Sequence, residues 1–327
     1  MRTTRAGWCV WRMPNDLPLA IVMNAGSGHG DAAAARDTIR ATLEAAGRPH
    51  RFFLIDDDHP ITEVVADAVA HAKHEGGAVV AVGGDGTINC VAGAAWREQL
   101  PLGVLPQGTF NFFGRSHNIP ADAREATEGL LRGTPRNVQA GMVNDRLFLV
   151  NGSLGLYPQV LEDREAWKQR LGRHRLVALW SGLVTMMRGY RSLRIDVSDG
   201  TRTRQLRTPT LFVGNNALQM EIIGLPEASD VFRNDGTLAG LVLKPIGRLT
   251  MLGLILRGAL GRLGDAENAI SFAFREITVT PKRHREKMKV AVDGEIEWLD
   301  PPLVFRAAPR PLVLITDGER QPGEDPG

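Results

Sequence analysis

Cysteine is scarce in this chain of 327 residues: only Cys9 and Cys90 occur, far apart and without metal-ligand spacing. Neither a disulfide framework nor a cysteine-held zinc site can be built from them, and a reducing compartment suits such a chain. Long hydrophobic runs are missing too. The longest apolar stretches, Leu176–Met187 and Leu249–Leu256, fall short of the ~20 residues that cross a bilayer. The apolar stretch after Arg2 and Arg5 is broken by Arg12, Pro14, Asn15 and Asp16, so it makes a poor signal peptide, and a cytoplasmic protein is expected. The 36 glycines and 19 prolines follow no period, which excludes collagen and repeat arrays. A net charge of only +2 also excludes a uniformly basic nucleic-acid binder.

What remains is an ordinary globular composition, 43% hydrophobic and 23% charged, long enough for two domains. The charge is unevenly spread. Between Arg164 and Arg207 eleven Lys or Arg stand against three acids. Such a patch suits nucleic acid, an anionic membrane surface or an acidic substrate, or simply faces water. Within it Trp167, Leu171, Leu176, Leu179, Trp180, Leu183, Val184 and Met187 form an apolar stripe beside Lys168, Arg170, Arg173, Arg175 and Arg188. That pattern suits a helix at a lipid interface, or equally a core helix with a solvated basic face.

Along the chain, Leu19–Met23 reads as a strand, Asn24–Gly30 as a glycine-rich turn and Asp31–Ala46 as a helix. Phe52–Ile55, Ala78–Val82 and Leu102–Leu105 read as further strands, with helices at Ile61–His74 and Ile88–Trp96 and another following the Pro106–Asn111 loop. Strands alternating with helices predict a parallel, helix-covered sheet. After about Arg136 the rhythm changes to short strands. Asn137–Val143 and Arg146–Asn151 suggest a hairpin turning at Asn144-Asp145, followed by the strands of an antiparallel sandwich interrupted by helices at 165–188 and 249–263. The expected division is 17–136, with 308–318 free to return to it, then 137–307, then a tail at 319–327.

Three loops carry candidate chemistry. Gly26, Ser27 and Gly28 sit between a strand and a helix, where backbone amides can face an anion. Gly83-Gly84-Asp85-Gly86-Thr87 adds a carboxylate that can hold Mg²⁺, and three glycines that let the backbone approach a phosphate, with Thr87 placed to cap the next helix. Gly108, Thr109 and Asn111 offer a hydroxyl and an amide. All three loops fall at strand ends of one sheet, the edge where open α/β sheets bind ligands.

Asn24-x-x-Ser27-Gly28, Gly83-Gly84-Asp85-Gly86-Thr87, Pro106-x-Gly108-Thr109-x-Asn111-x-x-x-Arg115 and Val292-Asp293-Gly294-Glu295 together resemble, in order and spacing, the diacylglycerol kinase catalytic family. That family includes bacterial YegS-type kinases and the diacylglycerol, sphingosine and ceramide kinases, and the resemblance runs from about Leu19 to Thr316. It implies an α/β nucleotide-binding domain like that of NAD kinases and phosphofructokinases, joined to a C-terminal antiparallel β-sandwich domain for the lipid, with ATP in the cleft between them. By the same resemblance Asn24, Ser27, Gly84, Gly86 and Thr109 contact the nucleotide, and Asp85 organises Mg²⁺ and the phosphates. Asp293 is the first choice as general base and Asp85 the alternative, with Glu295 beside Asp293. The expected reaction moves the γ-phosphate of ATP to a lipid hydroxyl at a membrane surface. Diacylglycerol is the first acceptor, a ceramide or sphingoid base the alternative, and nucleic acid is not a partner. The resemblance also leaves room for a homodimer and for peripheral attachment to the inner face of the membrane.

Three positions depart from the family. His29 stands where relatives often carry a basic residue, and Phe112 stands where they often carry Asp. Asn234-Asp235-Gly236-Thr237-Leu238-Ala239 resembles the structural Mg²⁺ loop of the bacterial kinases, with Ala239 in place of an acid, so Asp235 is a metal candidate lacking one usual companion. An NAD kinase shares the glycine loop but would carry an Asn-Glu pair after it, and none follows Thr87.

Overall fold

The computed structural model describes residues 17–24, 31–108, 110–155, 193–215, 236–244, 269–282 and 287–317. The basic segment 164–188, the expected helix 249–263, Gly26, Ser27, Gly28, Thr109 and Asp235 lie outside the described residues. The chain divides into two compact units, Met1–Val138 with Arg310–Gly327, and Gln139–Pro309. Among the described residues no helix is long and apolar enough to cross a membrane.

The first unit runs β1 (Leu19–Asn24), α1 (Asp31–Ala45), β2 (His50–Ile55), α2 (Ile61–Glu75), β3 (Ala78–Gly83), α3 (Asp85–Glu98), β4 (Leu102–Pro106), α4 (Phe112–Ser116), α5 (Ala123–Arg132) and β5 (Thr134–Val138), and closes with β18 (Leu312–Thr316). Its six-stranded sheet has the order β2-β1-β3-β4-β18-β5. Strands β1 to β4 and β18 are parallel, and β5 is antiparallel to β18. Strands β1 and β3 are almost wholly apolar and buried, as strands covered on both faces must be. Ala35, Ile39 and Leu43, four residues apart on α1, share one core with Ala126 and Leu130 of α5. Because β2 and β3 flank β1 on opposite sides, the carboxyl ends of β1 and β3 border a topological switch point, where α/β sheets open a crevice.

The second unit holds β6 (Gly141–Val143), β7 (Arg146–Phe148), β8 (Asn151–Gly155), β9 (Leu193–Ser198), β10 (Thr203–Thr208), β11 (Thr210–Gly214), β12 (Leu238–Leu243), β13 (Ala269–Phe274), β14 (Glu276–Pro281), β15 (Met288–Val292), β16 (Glu295–Leu299) and β17 (Leu303–Ala307). They form two sheets, β10-β9-β14-β17-β6-β7 and β13-β12-β11-β8-β15-β16. Phe148, Ile195 and Phe305 from one sheet and Leu154, Leu211 and Val290 from the other belong to a single buried cluster. Every described pairing within these sheets is antiparallel.

The structure redraws several boundaries. Asn137 and Val138 belong to β5 and pair with β18, so the expected hairpin shrinks to β6 and β7, turning at Asn144 in the left-handed region at φ 51°. The alternation of apolar residues runs on through Gln139 while the pairing partner changes, which periodicity does not register. Strand β10, TRQLRT, was invisible to hydropathy because it is an edge strand with mostly exposed side chains. The single helix expected after Asn111 is split into α4 and α5, with Pro120 between them.

The return strand is fastened by Arg310. Its Nη2 donates to the carbonyls of Trp96 at 2.8 Å and Arg97 at 2.9 Å in the last turn of α3, where the Trp96 carbonyl also accepts the Gln99 amide at 3.3 Å. The guanidinium lies 4.4 Å from the Trp96 ring centroid, and Trp96 Nε1 donates back to the Arg310 carbonyl at 3.0 Å. Replacing Arg310 by Ala is expected to cost about 1–2 kcal/mol, read as a lower urea midpoint with an unchanged slope. A midpoint equal to that of the wild type would mean the contact carries no net stability.

Candidate functional site

The carboxyl ends of β3 and β4 meet through glycine. A Cβ placed on Gly108 would lie 2.9 Å from the Gly84 Cα and 2.9 Å from Asn111 Oδ1, so only hydrogen fits where the two loops touch. The Gln107 amide donates to the Gly83 carbonyl at 2.8 Å, and the Gly108 amide donates to Asn111 Oδ1 at 2.8 Å. Asn111 is buried at 7% exposure and left-handed at φ 48°. Its side chain therefore clamps its own loop, a role the sequence reading had not given it.

Helix α3 starts three residues earlier than the pattern suggested, so Asp85, Gly86 and Thr87 form its first turn. The N-cap is Gly84, with no side-chain cap, and not Thr87. The Thr87 side chain instead folds against Gly83, where an added Cβ would come within 2.9 Å of its Oγ1. An uncapped first turn directs backbone N–H groups and the positive helix end at the crevice, the arrangement that receives phosphate.

Asp85 stands in that turn with Oδ1 buried and without a hydrogen-bond partner among the described residues. Burial pushes its pKa above the ordinary 3.8, while the backbone amides of Phe113, Phe112 and Asn111 face the carboxylate and oppose the shift. An orphaned carboxylate oxygen beside an anion-binding helix end is reconciled by a cation between them, and a hard oxygen donor suits Mg²⁺. Among the described residues no three His, Cys, Asp or Glu gather into a metal-binding group. Phe112, where the resemblance led to the expectation of a carboxylate, stacks on exposed Phe110, ring centroids 5.5 Å apart and 2° from parallel. Burial lowers the pKa of His117, packed 4.6 Å from the Phe113 ring, to about 4, so it adds no positive charge here.

The first unit thus brings together Gly83, Gly84, Asp85, Gly86, Thr87, Gly108 and Asn111, and Asn24 ends β1 beside β3 in the same sheet. Asp293 and Glu295 belong to the second unit. Asp293 is left-handed at φ 48° and opens the turn from β15 to β16, with Gly294 at φ 93°. Its carboxylate is tied down: Oδ2 accepts from the Leu149 amide at 2.7 Å, and Oδ1 from the amides of Val150 and Asn151, each at 2.8 Å. Its own amide donates to the Asn151 carbonyl at 2.9 Å. Glu295, two residues on, is exposed and makes no hydrogen bond or ion pair with a described residue. Ala239, where an acid was expected, is buried in β12 opposite Gly214. Two residues of this unit escaped sequence reasoning, Gln139 and Asn215, whose side-chain amides hydrogen-bond each other at 2.9 Å. No motif announced them, because isolated Gln and Asn in a strand-rich segment look like ordinary turn residues.

Residues 18–143 match the diacylglycerol kinase catalytic domain. Over 312 residues, 91% of this chain and 70% of the other, the sequence is 25% identical to an uncharacterized protein of Synechocystis sp.. Over 105 residues it is 39% identical to a diacylglycerol kinase of Staphylococcus aureus, a match covering 30% of this chain and 33% of that protein. The fold is similar to the crystal structure of a diacylglycerol kinase from Bacillus anthracis str. Sterne, with a TM-score of 0.64 at 16% identity, covering 92% of this chain and 97% of that one.

Asp85 makes a further point testable. Because its folded-state pKa is raised, the group costs stability as pH rises through that pKa, and the cost is absent below 3.8, where folded and unfolded chains are both protonated. Asp85→Asn is therefore expected to raise the thermal midpoint at pH 7, with the gap closing towards pH 3.8. A lower midpoint at pH 7 would show that the carboxylate supports the fold.

Proposed function

We propose that this chain, which belongs through residues 18–143 to the diacylglycerol kinase catalytic family, is a lipid kinase that transfers the γ-phosphate of ATP to the hydroxyl of diacylglycerol, giving phosphatidic acid. The observation that carries this reading is the glycine contact between Gly84 and Gly108, set beside an uncapped helix end and the orphaned Asp85 oxygen. A ceramide or sphingoid base is the second acceptor class. We read the parallel sheet as akin to that of NAD kinases and phosphofructokinases, and residues 137–307 as the lipid-substrate domain.

In this mechanism the amides of Gly84, Gly86 and the α3 first turn receive the phosphates, and the two glycines keep side chains out of their way. Mg²⁺, held by Asp85, would neutralise charge on the phosphates when bound. Phosphoryl transfer asks the protein mostly for positioning and charge neutralisation, and then for one base to take the proton of the attacking hydroxyl. Asp293 was the expected base and Asp85 the alternative, and the surroundings of both support moving the role to neighbouring Glu295. A carboxylate has four lone pairs, and three on Asp293 already accept backbone amides. Asp85 would be engaged with the cation when one is bound. Glu295, exposed and unengaged among the described residues, becomes the preferred base, with Asp293 holding the turn that carries it. The lipid acceptor, met at the inner membrane surface, fits a protein attached there peripherally.

Radiolabelled ATP, Mg²⁺ and a panel of diacylglycerol, ceramide and sphingosine in mixed micelles test the activity. Labelled phosphatidic acid is expected, and folded protein that labels no lipid would sink the reading. Glu295→Gln should lower kcat about a hundredfold or more with the thermal midpoint unchanged. Asp293→Asn should lower both, costing roughly 1–3 kcal/mol of stability, because an amide NH₂ would face backbone donors. Full turnover by Glu295→Gln would return the role of base to Asp293 or Asp85.

A further inference from the structure

The second unit contains a chain of polar contacts that neither the family motifs nor the proposed reaction accounts for. Gln139 Nε2 donates to Asn215 Oδ1 at 2.9 Å and to the Thr237 carbonyl at 3.0 Å, while its Oε1 accepts from the Gly236 amide at 2.9 Å. Asn215 Nδ2 donates to the carbonyls of Gln139 and Leu149, each at 3.0 Å, and the Asn215 amide donates to the Val150 carbonyl at 2.8 Å. Both amide protons and the oxygen of each side chain are engaged. Residues 149–151 are thus held on two sides: the carbonyls of Leu149 and Val150 by Asn215, and the amides of all three by the Asp293 carboxylate.

We propose that Gln139 and Asn215 are positioning residues, an amide pair that sets the place of the Asp293-Gly294-Glu295 turn through residues 149–151. The proposal rests on the reading in which this turn supplies the base. The logic is geometric. The Asp293 carboxylate is seated on three amides, two of which, Leu149 and Val150, belong to the short junction between β7 and β8 and lie outside the strand pairings on either side, while the third, Asn151, opens β8 opposite Gly214. Asn215 gives that junction a partner from the end of β11, and Gln139 orients Asn215 while tying in the turn that leads to β12. An amide is required at both places. Alanine would strand buried partners, and a carboxylate at 139 would set its lone pairs against Asn215 Oδ1 and the Thr237 carbonyl. Because a loosened turn misplaces a base without touching the nucleotide loops, the effect belongs in kcat and not in the KM for ATP.

The test combines hydrogen exchange with kinetics on the full chain, using Gln139→Ala and Asn215→Ala, with near-isosteric Gln139→Glu and Asn215→Asp as substitutes should an alanine variant fail to fold. Amides 149–151 are expected to exchange roughly tenfold faster or more, and kcat to fall about ten- to a hundredfold with KM for ATP unchanged. In a Glu295→Gln background the same substitutions should cost no further kcat, because the base they position is already gone. Unchanged exchange at 149–151, or an equal kcat loss in that background, would overturn the proposal. Wild-type protein that labels no lipid would instead sink the kinase reading, and the exchange measurement would then decide the brace alone.

Discussion

Two glycine backbones in contact set the terms for the first unit. At Gly84 and Gly108 the loops after β3 and β4 approach until a methyl group on Gly108 would collide, and neighbouring contacts serve that approach. Gln107 hydrogen-bonds across to Gly83, Asn111 bends into the left-handed region to hold the Gly108 amide, and Thr87 tucks against Gly83. The outcome is a first turn of α3 whose N-cap, Gly84, carries no side-chain cap. Asp85 stands in that turn with one oxygen lacking any partner among the described residues. A fold tolerates such a group where binding compensates for it, which is why buried, unpaired polar atoms concentrate at functional sites.

The second unit treats its carboxylates differently. Asp293 is saturated with backbone donors and behaves as a structural anchor, whereas Glu295 projects from the same turn without engagement among the described residues. Residues two apart across a tight turn thus differ sharply in their surroundings, one tied to backbone amides and the other exposed among the described residues. The amide pair at 139 and 215 extends the fixed part away from the turn.

The order of strands and helices in the first unit was plain in the sequence because its strands are buried on both faces and its helices recur at helical spacing: LAIVM and AVVAV leave little choice. The glycine motifs were equally legible, since close backbone approach demands glycine and the spacing repeats a familiar pattern. Less could be read where the decisive fact is a partner distant in sequence. Nothing in TPRNV says that it pairs with a strand beginning at Leu312, and nothing in Asp293-Gly294-Glu295 says that the first carboxylate faces three amides of residues 149–151. The apparent capping role of Thr87 failed for a related reason, because local motif rules favoured a hydroxyl cap while tertiary packing turned the side chain to Gly83.

Strand β18 has a consequence for how the protein is made. It is inserted between β4 and β5, yet the ribosome delivers it only after the whole of residues 139–309. Until then the first sheet cannot close, and the edges of β4 and β5 that will receive β18 stay open on the nascent chain. The unit encoded in the middle is free to fold first, and the unit that holds the parallel sheet is the last to be completed. Synthesis of this protein therefore carries a waiting period in which an unpaired parallel edge must be shielded, the stage at which chaperones act on slow-closing sheets.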